Sequence, residues 1–332
     1  MDRNERVKIA RSKAVPPYTL DDTLTFFCPQ ENVEGLQHPA VRAIHEYVTR
    51  EYEPPLRGKK AVLLMLPCTR VKPYILSPEH QAINGYLLAQ GFEPVEEADY
   101  PPEIEAALPA GSDRRLLNNR VWARGDLYLH RCVVSEPMAL VPYDLLYWFK
   151  GQLSPVARYD DPGLFEHRGN AVCPWRSDYT GRQGPKGYRW GDHEKAAYVQ
   201  MHNRMVELVV EALDRFGDAY VACLAYVSPK LTHRSFVTSV EEKRRAGLPV
   251  SKRTSQGVLP LVGINDLRPG LVHSLPDEED IERILARLGE RYPERSPRQI
   301  RGYFATGGGK VTPLSLPETL EVLGQHLNQF QH

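Results

Sequence analysis

Along the chain, short unbroken apolar runs alternate with longer stretches in which apolar side chains return every three or four residues. The clearest run, Ala61-Val62-Leu63-Leu64-Met65-Leu66, is stopped by Pro67 and has the pattern of a strand buried on both faces. Leu127 to Val134 predicts a second strand, with Leu127, Leu129 and Val133 on one face, Tyr128, Cys132 and Val134 on the other, and His130 and Arg131 interrupting it. Ala219 to Val227 predicts a third. Between them, Val41, Ile44, Tyr47 and Val48 give helical spacing over Pro39 to Tyr52, which must stop before Pro54. Pro78 to Gln90 predicts a helix with Ser77 placed to cap it, Pro78 in its first turn and Gly91 just past its end. Pro142 is expected to open another through about Lys150. The broadest stripe, running from Ala197 and Val199 through Met205 and Val209 to Leu213, predicts a helix over Asp192 to Phe216 ended by Gly217.

The pattern changes after Ser239, where charged stretches at 241–245 and 251–254 precede expected helices at Glu278 to Gly289 and Pro317 to Leu327 and a flexible turn at Gly307-Gly308-Gly309. Strand and helix alternation predicts an α/β layer with mostly parallel strands. The expected organisation is an N-terminal arm (1–37), a three-layer α/β/α sandwich (38–238) and a small α+β C-terminal extension (239–332).

At 332 residues the chain suits one large domain or two ordinary ones, and its 28 prolines, clustered at joints such as Pro54-Pro55, indicate many short ordered connections. The 42 basic and 42 acidic residues cancel, so attraction to nucleic acid requires a local patch. Five cysteines (Cys28, Cys68, Cys132, Cys173, Cys223) with no CxxC pair argue against a disulfide framework and against a thiolate zinc or iron-sulfur centre, and point to a reducing cytoplasm. No apolar run of about 18 residues and no signal-peptide pattern is present, so a soluble protein without a membrane partner is expected. His193 and His202 lack metal-ligand spacing, and neither a metal nor another cofactor is expected. Around Gly302 to Lys310 the glycine spacing is wrong for a phosphate loop and Val311 replaces the magnesium-ligating Ser or Thr, which excludes a nucleotide triphosphatase.

The chemistry concentrates in Pro67-Cys68-Thr69-Arg70-Val71-Lys72-Pro73-Tyr74-Ile75-Leu76-Ser77-Pro78-Glu79-His80, directly beyond the first strand. In an open α/β sheet that is where ligands bind. Cys68 is either a small buried hydrophobe or a thiol whose pKa is lowered by Arg70, Lys72 and a helix N-terminus. Lys72, before a proline, leaves extended backbone in a fixed direction, or is a solvated lysine. Tyr74 stacks on a flat ligand or packs; Ser77 caps; His80 carries protons or bonds backbone. Asp160 and Asp161, expected to follow a strand, supply a carboxylate or form a turn before Pro162. A second group, Arg168, Trp175, Arg176, Arg182, Lys186, Arg189 and Trp190 with His167, Tyr179 and Tyr188, mixes cations with aromatics as a nucleic-acid-binding surface does; the alternative is a solvated loop.

Written as Pro-Cys, three residues, Lys-Pro-Tyr, two residues, Ser, two residues, His, the loop resembles the signature of the archaeosine synthase family, transfer-RNA modification enzymes related to tRNA-guanine transglycosylase. The likeness continues through Leu129 to Ser135, Val141-Pro142 and Tyr159-Asp160-Asp161-Pro162, and spans about His38 to Val227. It implies a fold like that of uracil-DNA glycosylases and an activity that joins lysine to the nitrile carbon of 7-cyano-7-deazaguanine in transfer RNA, giving an amidine. It further implies Cys68 as a nucleophile forming a thioimide, Asp160 or His80 as proton carrier and Lys72 as an electrostatic group, with Pro67, Tyr74, Ser77, Ser135 and Tyr159 around the base. An amine donor such as lysine and a separate radical enzyme that completes the modification are the implied partners. The chain departs from the family in having Glu136 and Ala139 where proline and glycine are usual, an insertion before Trp190-Gly191-Asp192, and no recognisable PUA domain after Ser239. Deazaguanine in DNA or as a free base therefore stays open as substrate, as does a catalytically silent module that recognises the modified base.

Overall fold

A computed structural model describes residues 2–56, 58–161, 171–185, 187–229 and 232–331. A central sheet is formed by β1 (Ala61–Pro67), β2 (Glu93–Pro94), β3 (Trp122–Arg124), β4 (Leu127–Ser135), β5 (Ala139–Pro142), β6 (Ala222–Tyr226) and β7 (His273–Leu275). Its order is β7-β6-β1-β4-β3-β2, with β5 pairing the far half of β4. The strands β7, β6, β1 and β4 are all parallel, with β7 at the edge, whereas β2, β3 and β5 add antiparallel partners at the other margin. Every residue of β1 is buried, which explains its unbroken apolar run: both faces of an inner parallel strand are covered.

The main helices are α1 (Arg3–Arg11), α2 (Pro29–Gly35), α3 (Pro39–Glu46), α4 (Pro78–Ala89), α5 (Asp192–Phe216), α6 (Thr232–Val237), α7 (Val240–Arg245), α8 (Ile264–Leu267), α9 (Glu278–Arg291), α10 (Pro297–Thr306) and α11 (Pro317–Asn328). Two polar residues in β4 reveal how they are layered. Arg131 points to the α4 side, donating to Asn84 Oδ1 at 2.7 Å with its guanidinium carbon 4.1 Å from the centre of the Trp122 ring. Its neighbour His130 points the other way, stacked between Tyr52 and Tyr220, with Tyr52 edge-on to Phe216 at the end of α5. Helices thus cover both faces of a largely parallel sheet, which is compatible with a three-layer α/β/α arrangement.

The local signals act as expected at several points. Ser77 Oγ accepts the His80 N–H at 3.2 Å to cap α4, and Gly91 after its end takes φ +84°. The helix over Asp192–Phe216 has the anticipated bounds. Two expectations fail. From Pro142 the chain makes only a short 3-10 turn (Tyr143–Leu145) and then a hairpin pairing Trp148–Phe149 with Gln152–Leu153. Lys150 (φ +49°) and Gly151 (φ +76°) take the left-handed turn of that hairpin, while Tyr143, Leu146 and Tyr147 mimic helical spacing because they are buried. Asp160 does not follow a strand; it follows a 3-10 turn (Pro155–Ala157) and forms an isolated bridge with Thr25.

The flanking segments are built into the same body. Residues 239–332 supply edge strand β7, and Leu261, Ile264, Val272, Leu275, Leu314, Leu323 and Leu327 enter the main core. A second cluster, Ile284, Leu288, Ile300, Phe304, Leu316 and Val322, holds α9 and α10 to α11 and the residue before it. The N-terminal arm is tied to the Cys68 loop: Val15 N–H donates to Lys72 O at 2.8 Å and Lys72 N–H to Lys13 O at 3.0 Å. Among the described residues no helix is long and apolar enough to cross a membrane.

Candidate functional site

The neighbouring parallel strands β6, β1 and β4 all run toward the same edge of the sheet, and the chain just beyond each contributes one reactive side chain. Cys68 follows β1 and extends its ladder, its N–H donating to Val134 O at 3.1 Å. Glu136 follows β4 directly, and His233 lies at the start of α6, after β6. Cys68 Sγ is 3.4 Å from Glu136 Oε2 and 3.4 Å from His233 Nε2, and those two atoms are 3.7 Å apart. Glu136 and His233 are buried and Cys68 is half-buried. Burial, then the negative charges of Glu136 and Asp161, push the Cys68 thiol well above its usual range. This reverses the expected lowering: Lys72 does pull the other way but is outweighed, Arg70 is exposed, and the N-terminus of α4 is capped by Ser77 next to His80. Burial lowers His233 to about 4, so near neutral pH the centre holds a thiol beside a neutral ring.

Beside this centre Lys72 is buried, its Nζ donating to Thr69 O at 2.6 Å and lying 4.7 and 4.6 Å from the ring centres of Tyr74 and Tyr159. The hydroxyls of Tyr74, Ser135 and Tyr159 form a closed hydrogen-bonded group, with Tyr74 to Ser135 at 2.8 Å. Both phenols are buried and held far above their ordinary pKa by desolvation. Tyr74 therefore packs, one face given to Lys72. Cys68, Lys72, Tyr74, Ser135 and Tyr159 thus lie together in the structure.

His80, Ser77 and Asp160 sit around that group in other capacities. The His80 ring bridges Pro67 O (2.9 Å from Nε2) and the Tyr143 hydroxyl (2.6 Å from Nδ1), and burial lowers it to about 4. It holds the carbonyl of Pro67, one residue before the thiol. Asp160 is engaged by Lys13, Nζ to Oδ1 2.7 Å, and burial pushes its carboxyl up to about 6 against the pull of Lys13 and Lys72. Sequence reasoning did not single out Lys13, Glu136 as a reactive group, or His233. The available signal was topological: each of Glu136 and His233 follows an expected parallel strand, as Cys68 does.

The cation and aromatic stretch divides. Arg168 and Lys186 lie outside the described residues. Arg176 is clamped by Glu34 at 2.6 Å and Asp178 at 2.7 Å, and Trp190 donates Nε1–H to Ala171 O at 3.0 Å while leaning on Tyr198. Trp175 stays exposed with the Arg6 guanidinium 5.1 Å from its ring centre, and exposed Arg182 and Arg189 face each other across a two-stranded ribbon. No family model matches the chain, nor does any curated protein or solved structure.

Proposed function

We propose that this chain joins an amine, lysine or one like it, to the nitrile carbon of 7-cyano-7-deazaguanine carried in nucleic acid, transfer RNA first, as a cytoplasmic enzyme similar to archaeosine synthases on a uracil-DNA-glycosylase-like core. The observation that carries this reading is the Cys68 thiol at the carboxyl ends of three parallel strands, with two proton acceptors, Glu136 Oε2 and His233 Nε2, each 3.4 Å from sulfur. The substrate class is the one implied by the resemblance of Pro67 to His80 to the archaeosine synthase signature.

A thiol whose pKa is raised needs a base at the moment of attack. Glu136 or His233 takes the proton as sulfur adds to the nitrile carbon, and the nitrile nitrogen receives it, giving a thioimide. A neutral amine then adds to the same carbon and the thiol leaves, which yields the amidine and restores Cys68. Lys72 supplies a fixed positive charge beside the sulfur, and His80 holds the loop in register. A separate radical enzyme would complete the modification.

Incubation of the chain with lysine or other amines and cyano-deazaguanine as base, nucleoside, RNA or DNA, read by mass spectrometry, tests this. A mass gain equal to the amine is expected, lost in Cys68→Ser and reduced about 100-fold in Glu136→Gln. Full activity of Cys68→Ser removes the thioimide, and binding of the modified nucleic acid with no mass gain favours a non-catalytic reader of the base.

A further inference from the structure

The three groups beyond β1, β4 and β6 converge in a way that acid-base chemistry alone does not require. In a nucleophile-base-acid relay the carboxylate holds the imidazole nitrogen remote from the nucleophile. Here Cys68 Sγ and Glu136 Oε2 both approach the same nitrogen, His233 Nε2, at 3.4 and 3.7 Å, and lie 3.4 Å from each other. A tetrahedral zinc ion with Zn–S about 2.3 Å and Zn–N or Zn–O about 2.0–2.1 Å sets its ligand atoms about 3.3–3.6 Å apart. One thiol, one imidazole and one carboxylate therefore already outline a face of such a tetrahedron. We propose that Cys68, Glu136 and His233 form a zinc(II) site with its fourth position open.

The charges agree with the geometry. Loading converts the thiol to thiolate with release of one proton, while the carboxylate and the neutral ring contribute lone pairs. Thiolate and carboxylate then cancel the two positive charges of the ion, so the filled site carries no net charge where Glu136 and His233 are buried. Thiolate, imidazole and carboxylate together suit zinc better than magnesium or calcium. Ligand intervals of 68 and 97 residues escape any motif search, because the sheet alone makes them neighbours.

Among the described residues two other groups of ligating side chains come together, Cys28 with Glu31 and Cys173, and Asp277 with Asp280 and His326. In the latter the carboxylates already cap α9 and Asp280 pairs with Arg283. The Cys28 group provides an internal control, since it also offers thiols.

The inference does not rest on amidine formation: sulfur held by zinc is a thiolate that keeps lone pairs, so loading the site does not remove the nucleophile. The test is titration of the metal-free chain with Co2+, followed by displacement with Zn2+, in the absence of nucleic acid. One equivalent of Co2+ should produce a near-ultraviolet thiolate-to-cobalt band that persists in Cys28→Ser and disappears in Cys68→Ser. His233→Ala and Glu136→Gln should weaken binding by more than the about 10- to 100-fold typical of changes outside the ligand shell. Circular dichroism of each variant separates loss of the site from loss of the fold. Absence of the band in the folded wild-type chain, or its persistence in Cys68→Ser, overturns the proposal whatever the mass-spectrometric assay returns.

Discussion

His80 shows how much one buried ring can carry. Both its nitrogens are engaged, one at the carbonyl that precedes Cys68 and one at Tyr143, so the position of the thiol depends on a ring that must stay neutral. His202 is likewise buried and His45 half-buried, and desolvation lowers the three rings from about 6.5 to about 4 (His45, His80) and about 3 (His202). Unfolded rings take up protons below about pH 6.5 while the folded ones do not, so their contribution is complete above that pH and is lost as pH falls toward 4. The loss between pH 6.5 and 5 is at most about 2 kcal/mol per ring. Asp160, raised to about 6, acts in the opposite sense below pH 6, favouring the fold at lower pH by at most about 1.4 kcal/mol at pH 5. The rings outweigh it, and thermal unfolding should give a lower Tm at pH 5 than at pH 7; an unchanged or higher Tm contradicts the assignment. At this scale Cys68, Lys72 and Tyr74 were legible because they share one short loop. Glu136 and His233 were not, because neither has a neighbour in sequence that marks it.

At the scale of elements, α4 links a capping signal to the site. Ser77 caps its first turn and His80 is the third residue of that turn, so the cap fixes the place from which the ring reaches Pro67. Ser77→Ala should cost about 1 kcal/mol, read as a lower urea midpoint with an unchanged slope; a cost near zero would show that packing alone holds the turn. Periodicity identified β1, β4, β6, α4, α5, α9 and α11, all of them long or continuously buried. It misread Pro142 to Lys150, where burial of Tyr143, Leu146 and Tyr147 by different neighbours imitates one helical face. A left-handed turn at Lys150 and Gly151 decided that segment, and nothing in the apolar pattern announces it.

Over the whole molecule, the N-terminal arm acts as a brace on the site. Lys13 reaches Asp160 and its backbone pairs with that of Lys72, while Phe26 N–H donates to Asp160 O at 3.0 Å. Lys13→Met leaves a buried carboxylate without its cation; protonation limits the cost to about 2–3 kcal/mol at pH 7. Hydrogen exchange over residues 3–35 should quicken in this variant, and less so at pH 5, where the carboxyl already holds a proton. Exchange as slow as in the parent chain would mean that the arm is held by apolar contacts instead. The sequence by itself determined the alternation of strand and helix, the buried character of β1 and the loop that carries Cys68, Lys72 and Tyr74, because these depend on patterns within a dozen residues. Only the tertiary structure decided which strands are neighbours. Parallel pairing across long crossovers is what sets Glu136 and His233 against the sulfur, lays Lys13 on Asp160, and makes a common centre from side chains that no local interval connects.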